Sequence, residues 1–131
     1  MAQQAVELIL MRQLASYLTL PIFMVGADET VVYYNEAAEA LVGRSFDEVG
    51  ALTLKQLDSA FSTMTEEGTP LPSDQLPLAI ALRERRPAHG RLQYRSLDGV
   101  ARTIEVMAFP LEGQAKRLVG AVAVFWEVAP S

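Results

Sequence analysis

The sequence predicts one α+β domain, and three features of the chain predict it. An apolar hairpin at residues 21–34 leads directly into a capped helix. Helical patterns then occupy residues 45–85, and strand patterns occupy residues 90–128. With 131 residues and 50% hydrophobic content, the chain is long enough for one core and too short for two comfortable domains.

A helical pattern precedes the hairpin and covers residues 2–18. Val6, Leu10, Leu14 and Tyr17 are spaced so that they share one stripe of a helix. Neighbouring apolar residues widen this stripe, and a short helix cannot leave so broad an apolar surface in water. We expect the helix to cover the domain's own sheet or a second copy of the chain.

The hairpin and the helix after it have clear local signals. Residues 21–25 form an apolar run, and residues 30–34 are rich in β-branched and aromatic side chains, as in paired strands. Asn35 ends the second strand, and its side-chain oxygen can accept hydrogen bonds from the first N–H groups of a helix over residues 36–42. Gly43 can adopt the left-handed conformation that closes this helix.

More helices are predicted before the last strands. Ser45 and Thr53 each begin a capping-box pattern, which predicts two short helical turns. A longer helix is predicted over residues 74–85, with Asp74 as its cap. Pro77 would lie in the first turn, where its missing N–H has no helical partner to lose.

Three strands are predicted in the last third of the chain. Residues 90–96 alternate between polar and apolar side chains. The pair Asp98-Gly99 indicates a tight hairpin to a second alternating strand, which Pro110 closes. Residues 118–128 are almost wholly apolar, which is typical of a central strand covered on both faces.

Taken in order, these elements resemble a PAS domain over residues 21–128. The resemblance is clearest in residues 20–45, LPIFMVGADETVVYYNEAAEALVGRS. It implies a PAS fold, with a five-stranded antiparallel sheet, helices on one face and, in this chain, an N-terminal helix flanking the sheet. It also implies a sensory or interaction role in bacterial signal transduction, as in the sensor kinases of two-component systems, rather than catalysis.

The resemblance divides the chain into three expected segments. Residues 1–19 would be the amphipathic helix, which flanks the domain or dimerises. Residues 20–128 would be the PAS domain, and residues 129–131 a linker or terminal edge. Such a domain is expected to be the N-terminal regulatory part of a sensor kinase or similar regulator and to act on an effector domain, although it can also stand alone.

The composition excludes several classes of partner. The net charge is −5 with only 11 Lys and Arg, so the chain lacks the basic surface of a nucleic-acid-binding protein. The apolar runs near the start are interrupted and fall short of the roughly 18 to 20 residues of a membrane span. With zero cysteines, disulfides and thiolate metal sites are excluded, which fits a reducing compartment. We expect a cytoplasmic domain with no direct contact with nucleic acid or membrane.

Cofactor chemistry is not favoured. The resemblance makes the single histidine, His89, a candidate haem ligand, but His89 follows Pro87 at a strand start, where a surface histidine is more usual. Flavin photoreceptors of the family use a cysteine to form an adduct, and this chain has none. A non-covalent flavin would need an aromatic such as Trp126 beside its ring, yet an aromatic at a strand end is more often core or interface. We expect no haem, no flavin and no metal site.

An enzyme is the remote alternative. Catalysis by a small α+β domain requires a buried acid or base with a partner. The candidate carboxylates fall in turns, on short exposed helices or on an outward strand position, and no Ser/His/Asp grouping or phosphate-binding glycine loop is present. We expect no catalytic residues.

Two functional hypotheses remain. In the first, the domain senses an apolar small molecule, such as a fatty acyl chain, in a pocket lined by Val32, Phe61, Leu78, Leu82, Tyr94, Ile104 and Val124. In the second, the core is fully packed, and the domain relays a signal by protein–protein contact as a homodimer. The expected dimer interface consists of Val6, Leu10, Leu14, Tyr17, Val122 and Trp126.

Overall fold

The computed structural model describes residues 6–95 and 99–128. The helices and strands follow the predicted order, and two 3₁₀ turns lie at Ser73–Gln75 and Gln114–Lys116. The elements are α1 (Val6–Tyr17), β1 (Ile22–Gly26), β2 (Val31–Tyr34), α2 (Glu36–Val42), α3 (Phe46–Val49), α4 (Leu54–Phe61), α5 (Pro77–Glu84), β3 (Ala88–Arg95), β4 (Ala101–Glu112) and β5 (Leu118–Glu127).

The five strands form one antiparallel sheet in the order β2-β1-β5-β4-β3. The predicted α+β class and five-stranded antiparallel sheet are therefore confirmed. The strand β5 is central, as its continuous apolar sequence predicts, because both of its faces are covered.

Two apolar clusters cover the two faces of the sheet. The face that carries α2 to α5, here called the inner face, holds the larger cluster, which includes Val31, Leu57 and Phe125. The opposite face, here called the outer face, is covered in part by α1, whose Leu8 and Ala15 are buried against the sheet. The N-terminal helix is thus the second cover of the central strand.

Local capping signals place the helices of the inner face. Asn35 accepts a hydrogen bond from the backbone N–H of Ala38, and Gly43 closes α2 in the left-handed conformation. Ser45 caps α3, and a reciprocal capping box with Thr53 begins α4. These three predicted caps are present in the structure.

At two prolines the structure differs from the predicted boundaries. The longer helix begins at Pro77 rather than at Asp74, which lies in a separate 3₁₀ turn. The first helical position favours proline, because its φ angle is already helical and its missing N–H is not required there. The strand β4 continues through Pro110 to Glu112. Its pairing with β3 ends at Ala108, so Pro110 occupies an edge position, where a sheet tolerates proline.

The predicted hairpin turn is described only in part. Asp98 lies outside the described residues, as do residues 1–5 and 129–131. Gly99 has a φ angle of 88°, which is the left-handed conformation that glycine adopts most readily.

Candidate functional site

A cavity of about 70 Å³ lies between the inner face of the sheet and the helices α4 and α5. Strands, helices and the loop before the 3₁₀ turn all contribute to its lining. The lining residues are Phe23, Val42, Leu57, Phe61, Thr63, Leu76, Pro77, Leu78, Leu92, Tyr94, Ile104, Val106, Ala123 and Phe125.

One small side chain on the central strand, Ala123, lines the cavity. Ala123 of β5 pairs with Ala108 of β4, which in turn pairs with Ala88 of β3, so three alanines cross the sheet in one row. All three are buried. On the other side of Ala123 the row continues through Phe23 of β1 to Tyr34 of β2, which are much larger residues. Of the three alanines, Ala123 lines the cavity beside the larger Phe23, whereas Ala88 and Ala108 do not line it.

One side of α4 faces the cavity because its apolar residues recur at helical spacing. In α4, Leu54, Leu57 and Phe61 are buried, and their spacing of three and four residues places them on one side of the helix. The polar residues of α4 face outward. The apolar side of α4 therefore supplies Leu57 and Phe61 to the cavity wall.

Four aromatic rings line the cavity in two pairs. Phe23 and Phe125 stack with their ring centres 5.3 Å apart. Phe61 and Tyr94 meet edge to face, with their ring centres 5.6 Å apart. Both arrangements are favourable geometries for aromatic pairs, so the rings are held in place by each other.

The two lining residues with polar side chains direct their hydroxyl groups to the backbone. Thr63 donates a hydrogen bond of 3.1 Å to the carbonyl oxygen of Leu71. Tyr94 donates a hydrogen bond to the carbonyl oxygen of Leu41 in α2. None of the lining residues is charged. The cavity surface is therefore apolar and suits an apolar occupant.

The structure brings together four of the seven predicted pocket residues. Phe61, Leu78, Tyr94 and Ile104 line the cavity, whereas Leu82 is buried in the same cluster without lining it. Sequence reasoning missed Ala123, because a small residue in an apolar strand gives no signal of a cavity.

Val32 and Val124 correct the predicted lining, because both pack on the outer face. In β5, Ala123 and Phe125 face the inner cluster, so Val124 between them points to the opposite face. Val32 lies beside an irregularity in the β1–β2 pairing and packs against the outer cluster.

The six predicted interface residues differ in their exposure to solvent. Val6, Leu10, Leu14 and Tyr17 are exposed on the side of α1 that faces away from the sheet. Their relative exposures are 64%, 60%, 51% and 76%, which are high values for apolar side chains. We call these four residues the α1 stripe.

The two β5 residues of the predicted interface differ. Val122 is buried beneath α1 in the outer cluster, so it is not exposed for contact with a second copy of the chain. The physical reason is that α1 itself covers this part of β5. Trp126 lies further along the same face and remains partly exposed.

Asn35 makes contacts that its role as a helix cap does not predict. The residue is buried, and its side-chain oxygen accepts hydrogen bonds from the N–H groups of Ile22 and Ala38. Its side-chain amide donates to the carbonyl oxygens of Ala15 at 3.0 Å and Leu20 at 2.8 Å. Asn35 therefore joins the end of α1, the start of β1 and the start of α2.

Tyr34 lies next to Asn35 and borders the inner aromatic cluster. Its hydroxyl group donates a hydrogen bond of 2.9 Å to the carbonyl oxygen of Arg44. Burial, together with the nearby carboxylates of Glu39 and Glu48, raises the pKa of Tyr34 to about 12. The phenol therefore stays protonated at neutral pH.

The candidate cofactor and acid–base residues lie away from the cavity lining. His89 is exposed on β3, and Trp126 is at the end of β5. Arg91 donates a hydrogen bond to Glu105 and lowers the pKa of its carboxyl group, so Glu105 is ionised. Burial raises the pKa of Asp58 on α4, yet Asp58 does not line the cavity.

The described residues contain neither a group of metal ligands nor a membrane-spanning helix. Among residues 6–95 and 99–128, no three histidine, aspartate or glutamate side chains are grouped so that they can hold a metal ion. In the described part of the chain, no helix is long and apolar enough to span a bilayer.

Comparisons with known proteins agree with this geometry. A family model described as the PAS fold matches residues 17–130. A search of curated proteins gives no match.

Solved structures are similar over nearly the whole chain. A PAS domain from Colwellia psychrerythraea is 18% identical with a TM-score of 0.66, over 92% of this chain and 96% of that one. The PAS domain of nitrogen regulation protein NR(II) from Vibrio parahaemolyticus is 16% identical with a TM-score of 0.63, over 91% and 98%. A LOV protein from Rhodobacter sphaeroides is 10% identical with a TM-score of 0.74, over 95% and 69%. At these identities the likeness shows the fold alone.

Proposed function

Since the chain belongs to the PAS family, we propose that it is the sensory module of a signalling protein and that an apolar molecule in the cavity is its stimulus. The observation that carries this proposal is the cavity itself. It lies in the core of the sheet and helices, it is apolar, and the hydroxyl groups of its two polar residues are already hydrogen-bonded. A binding site of this kind is typical of apolar small molecules.

The residues of the cavity do not fit haem or flavin. The chain's single histidine, His89, does not line it. Its volume of about 70 Å³ is about half that of a cavity known to hold benzene, which is far smaller than either cofactor. We therefore propose a sensor without haem or flavin.

A continuous set of contacts connects the cavity to α1 and could transmit a structural change between them. The hydroxyl group of Tyr94, a wall residue, bonds to the carbonyl of Leu41 in α2. The other end of α2 is capped by Asn35, whose amide holds the carbonyls of Ala15 and Leu20. A change in the cavity wall that shifts α2 would therefore reach α1.

The family and the α1 stripe together suggest how the domain passes its signal on. We infer that a second copy of the chain covers the stripe and that the dimer acts on an effector domain, as in a sensor kinase. The chain's net charge of −5 opposes association, but the stripe itself carries no charged residue. Two stripes can therefore meet without bringing like charges together.

We also propose a cytoplasmic location, in keeping with the cysteine-free composition.

The second candidate function is a ligand-free dimerisation module. The α1 stripe favours it, because a helix that is apolar on both sides needs a cover on both sides. This hypothesis requires the cavity to stay empty, whereas the sensory hypothesis requires it to be filled.

Mass spectrometry of the bound material separates the two functions. We expect an organic-solvent extract of the purified protein to contain an uncharged apolar compound in near-stoichiometric amount, because such a compound removes apolar cavity wall from water. An extract from an unrelated protein purified in parallel is the control. A clean extract, together with no thermal stabilisation by added apolar compounds, would favour the dimerisation module.

A further inference from the structure

The size of the cavity restricts its occupant more tightly than its apolar character does. A cavity of 150 Å³ lined by aliphatic and aromatic side chains binds benzene or xenon. The cavity here has about half that volume. A single aromatic ring would therefore enter only with a small outward movement of the walls, and a long acyl chain would extend well beyond the cavity. This result does not support the fatty acyl chain expected from the sequence.

The walls also favour a particular shape. Two of the four lining rings, Phe23 and Phe125, are nearly parallel, with 16° between their planes. The other two, Phe61 and Tyr94, are nearly perpendicular, with 89° between theirs. A flat or compact ligand can contact the faces and edges of these rings. Both lining hydroxyl groups already donate hydrogen bonds to backbone carbonyls, so the ligand needs no polar group to satisfy them.

Ala123 has a central place in this arrangement. It is 1% exposed, it lines the cavity, and it is paired directly with Phe23 across the β1–β5 ladder. A larger side chain at this position would extend from the inner face of the central strand into the cavity.

Building on the proposed sensory function, we propose that the cavity takes a compact, uncharged hydrocarbon or aromatic molecule of at most about one ring. We further propose that Ala123 sets this size limit. Valine suits a strand and adds two methyl groups, so Ala123→Val is the substitution that fills the cavity with the least disturbance of the backbone.

Binding of three probes to the purified protein tests the proposal. Benzene represents one ring, naphthalene two rings and decanoate an acyl chain, and binding is followed by methyl chemical shifts in NMR. We expect benzene to bind to the wild type more tightly than naphthalene or decanoate. We expect Ala123→Val to weaken benzene binding at least tenfold. Val124→Leu, which enlarges the next residue of β5 on the outer face, is the matched control and should bind benzene like the wild type.

A second variant keeps the test decisive if Ala123→Val fails to fold. Leu78→Ala removes part of the opposite wall, so we expect it to bind naphthalene at least tenfold more tightly than the wild type does. Unchanged benzene binding in a folded Ala123→Val, or no gain for naphthalene in Leu78→Ala, would overturn the role of the cavity walls. Tighter binding of decanoate than of benzene would overturn the size limit and leave the sensory function standing. Failure of every apolar probe, with a clean solvent extract, would overturn the sensory function as well.

Discussion

Replacing Asn35 by aspartate should destabilise the protein by about 3 kcal/mol or more, because the carbonyl groups of Ala15 and Leu20 lose the side-chain amide that donates to them. The aspartate keeps the oxygen that accepts from Ile22 and Ala38. It replaces the amide that donates to Ala15 and Leu20 with a second oxygen, so oxygen atoms would face each other in a buried site. Urea denaturation at neutral pH measures the change in the free energy of unfolding.

The matched control is Thr53, a cap whose side-chain hydrogen bond stays within its own helix and whose bridge to Thr30 is made by the backbone. Thr53 caps α4 at an exposed position, so Thr53→Ala should cost about 1 kcal/mol, the usual value for losing a cap. If Asn35→Asp costs no more than Thr53→Ala, Asn35 is an ordinary cap, and the proposed connection between α1 and α2 is wrong.

A lower pH should reduce the cost of Asn35→Asp, because a protonated carboxyl group can donate one hydrogen bond.

The second large effect concerns association. We expect the wild type to be a homodimer at micromolar concentration and the double variant Leu10→Glu, Leu14→Glu to be a folded monomer. Burying a leucine stabilises by roughly 1.5 to 3 kcal/mol, and a symmetric contact loses four of them. The dimer dissociation constant should therefore rise more than about a thousandfold. Light scattering gives the mass, and circular dichroism shows whether the variant is folded.

A second pair of glutamates tests whether charge alone separates the subunits. Ser16 and Gln114 are exposed and lie outside the α1 stripe, so Ser16→Glu with Gln114→Glu adds the same charge and should remain dimeric. A monomeric wild type would remove the main support for relay through α1. Unfolding of the leucine double variant would place the stripe in the core of each chain, contrary to its exposure.

The sequence predicts well what depends on neighbouring residues. Asn35, Ser45 and Thr53 cap their helices as predicted, because each cap involves residues within three positions along the chain. The continuous apolar run of β5 correctly indicates a central strand. The boundary at Pro77 was missed because both the first position and the rest of the first turn accept proline.

The cavity could be predicted only in part, because it depends on which face each strand residue occupies. The strand β5 is apolar on both faces, so its pattern does not distinguish Val124 from Ala123, and an offset of one residue reverses the assignment. The irregular β1–β2 pairing likewise reverses the face that Val32 occupies. The place of Ala123 in the cavity wall beside Phe23 follows only once β1 and β5 are paired in register.

Side-chain contacts between distant parts of the chain were also beyond sequence reasoning. The helix α1 carries apolar residues on two sides, so its pattern does not reveal whether Leu8 and Ala15 or the α1 stripe faces the sheet. The amide contacts of Asn35 reach carbonyl groups 15 and 20 residues away. Such contacts follow from the packing of α1 on the sheet, which local patterns do not specify.

The effect of cavity occupancy on the dimer tests the sensory claim most directly. Sedimentation equilibrium gives the dimer dissociation constant of the wild type with and without saturating benzene, and Ala123→Val serves as the variant whose cavity is filled. If the cavity and α1 are coupled, benzene should change the dissociation constant of the wild type by about fivefold or more, a typical magnitude for coupling between sites. The filled variant should show no change. An unchanged constant in wild type saturated with benzene would contradict the claim that this domain transmits the state of its cavity to α1.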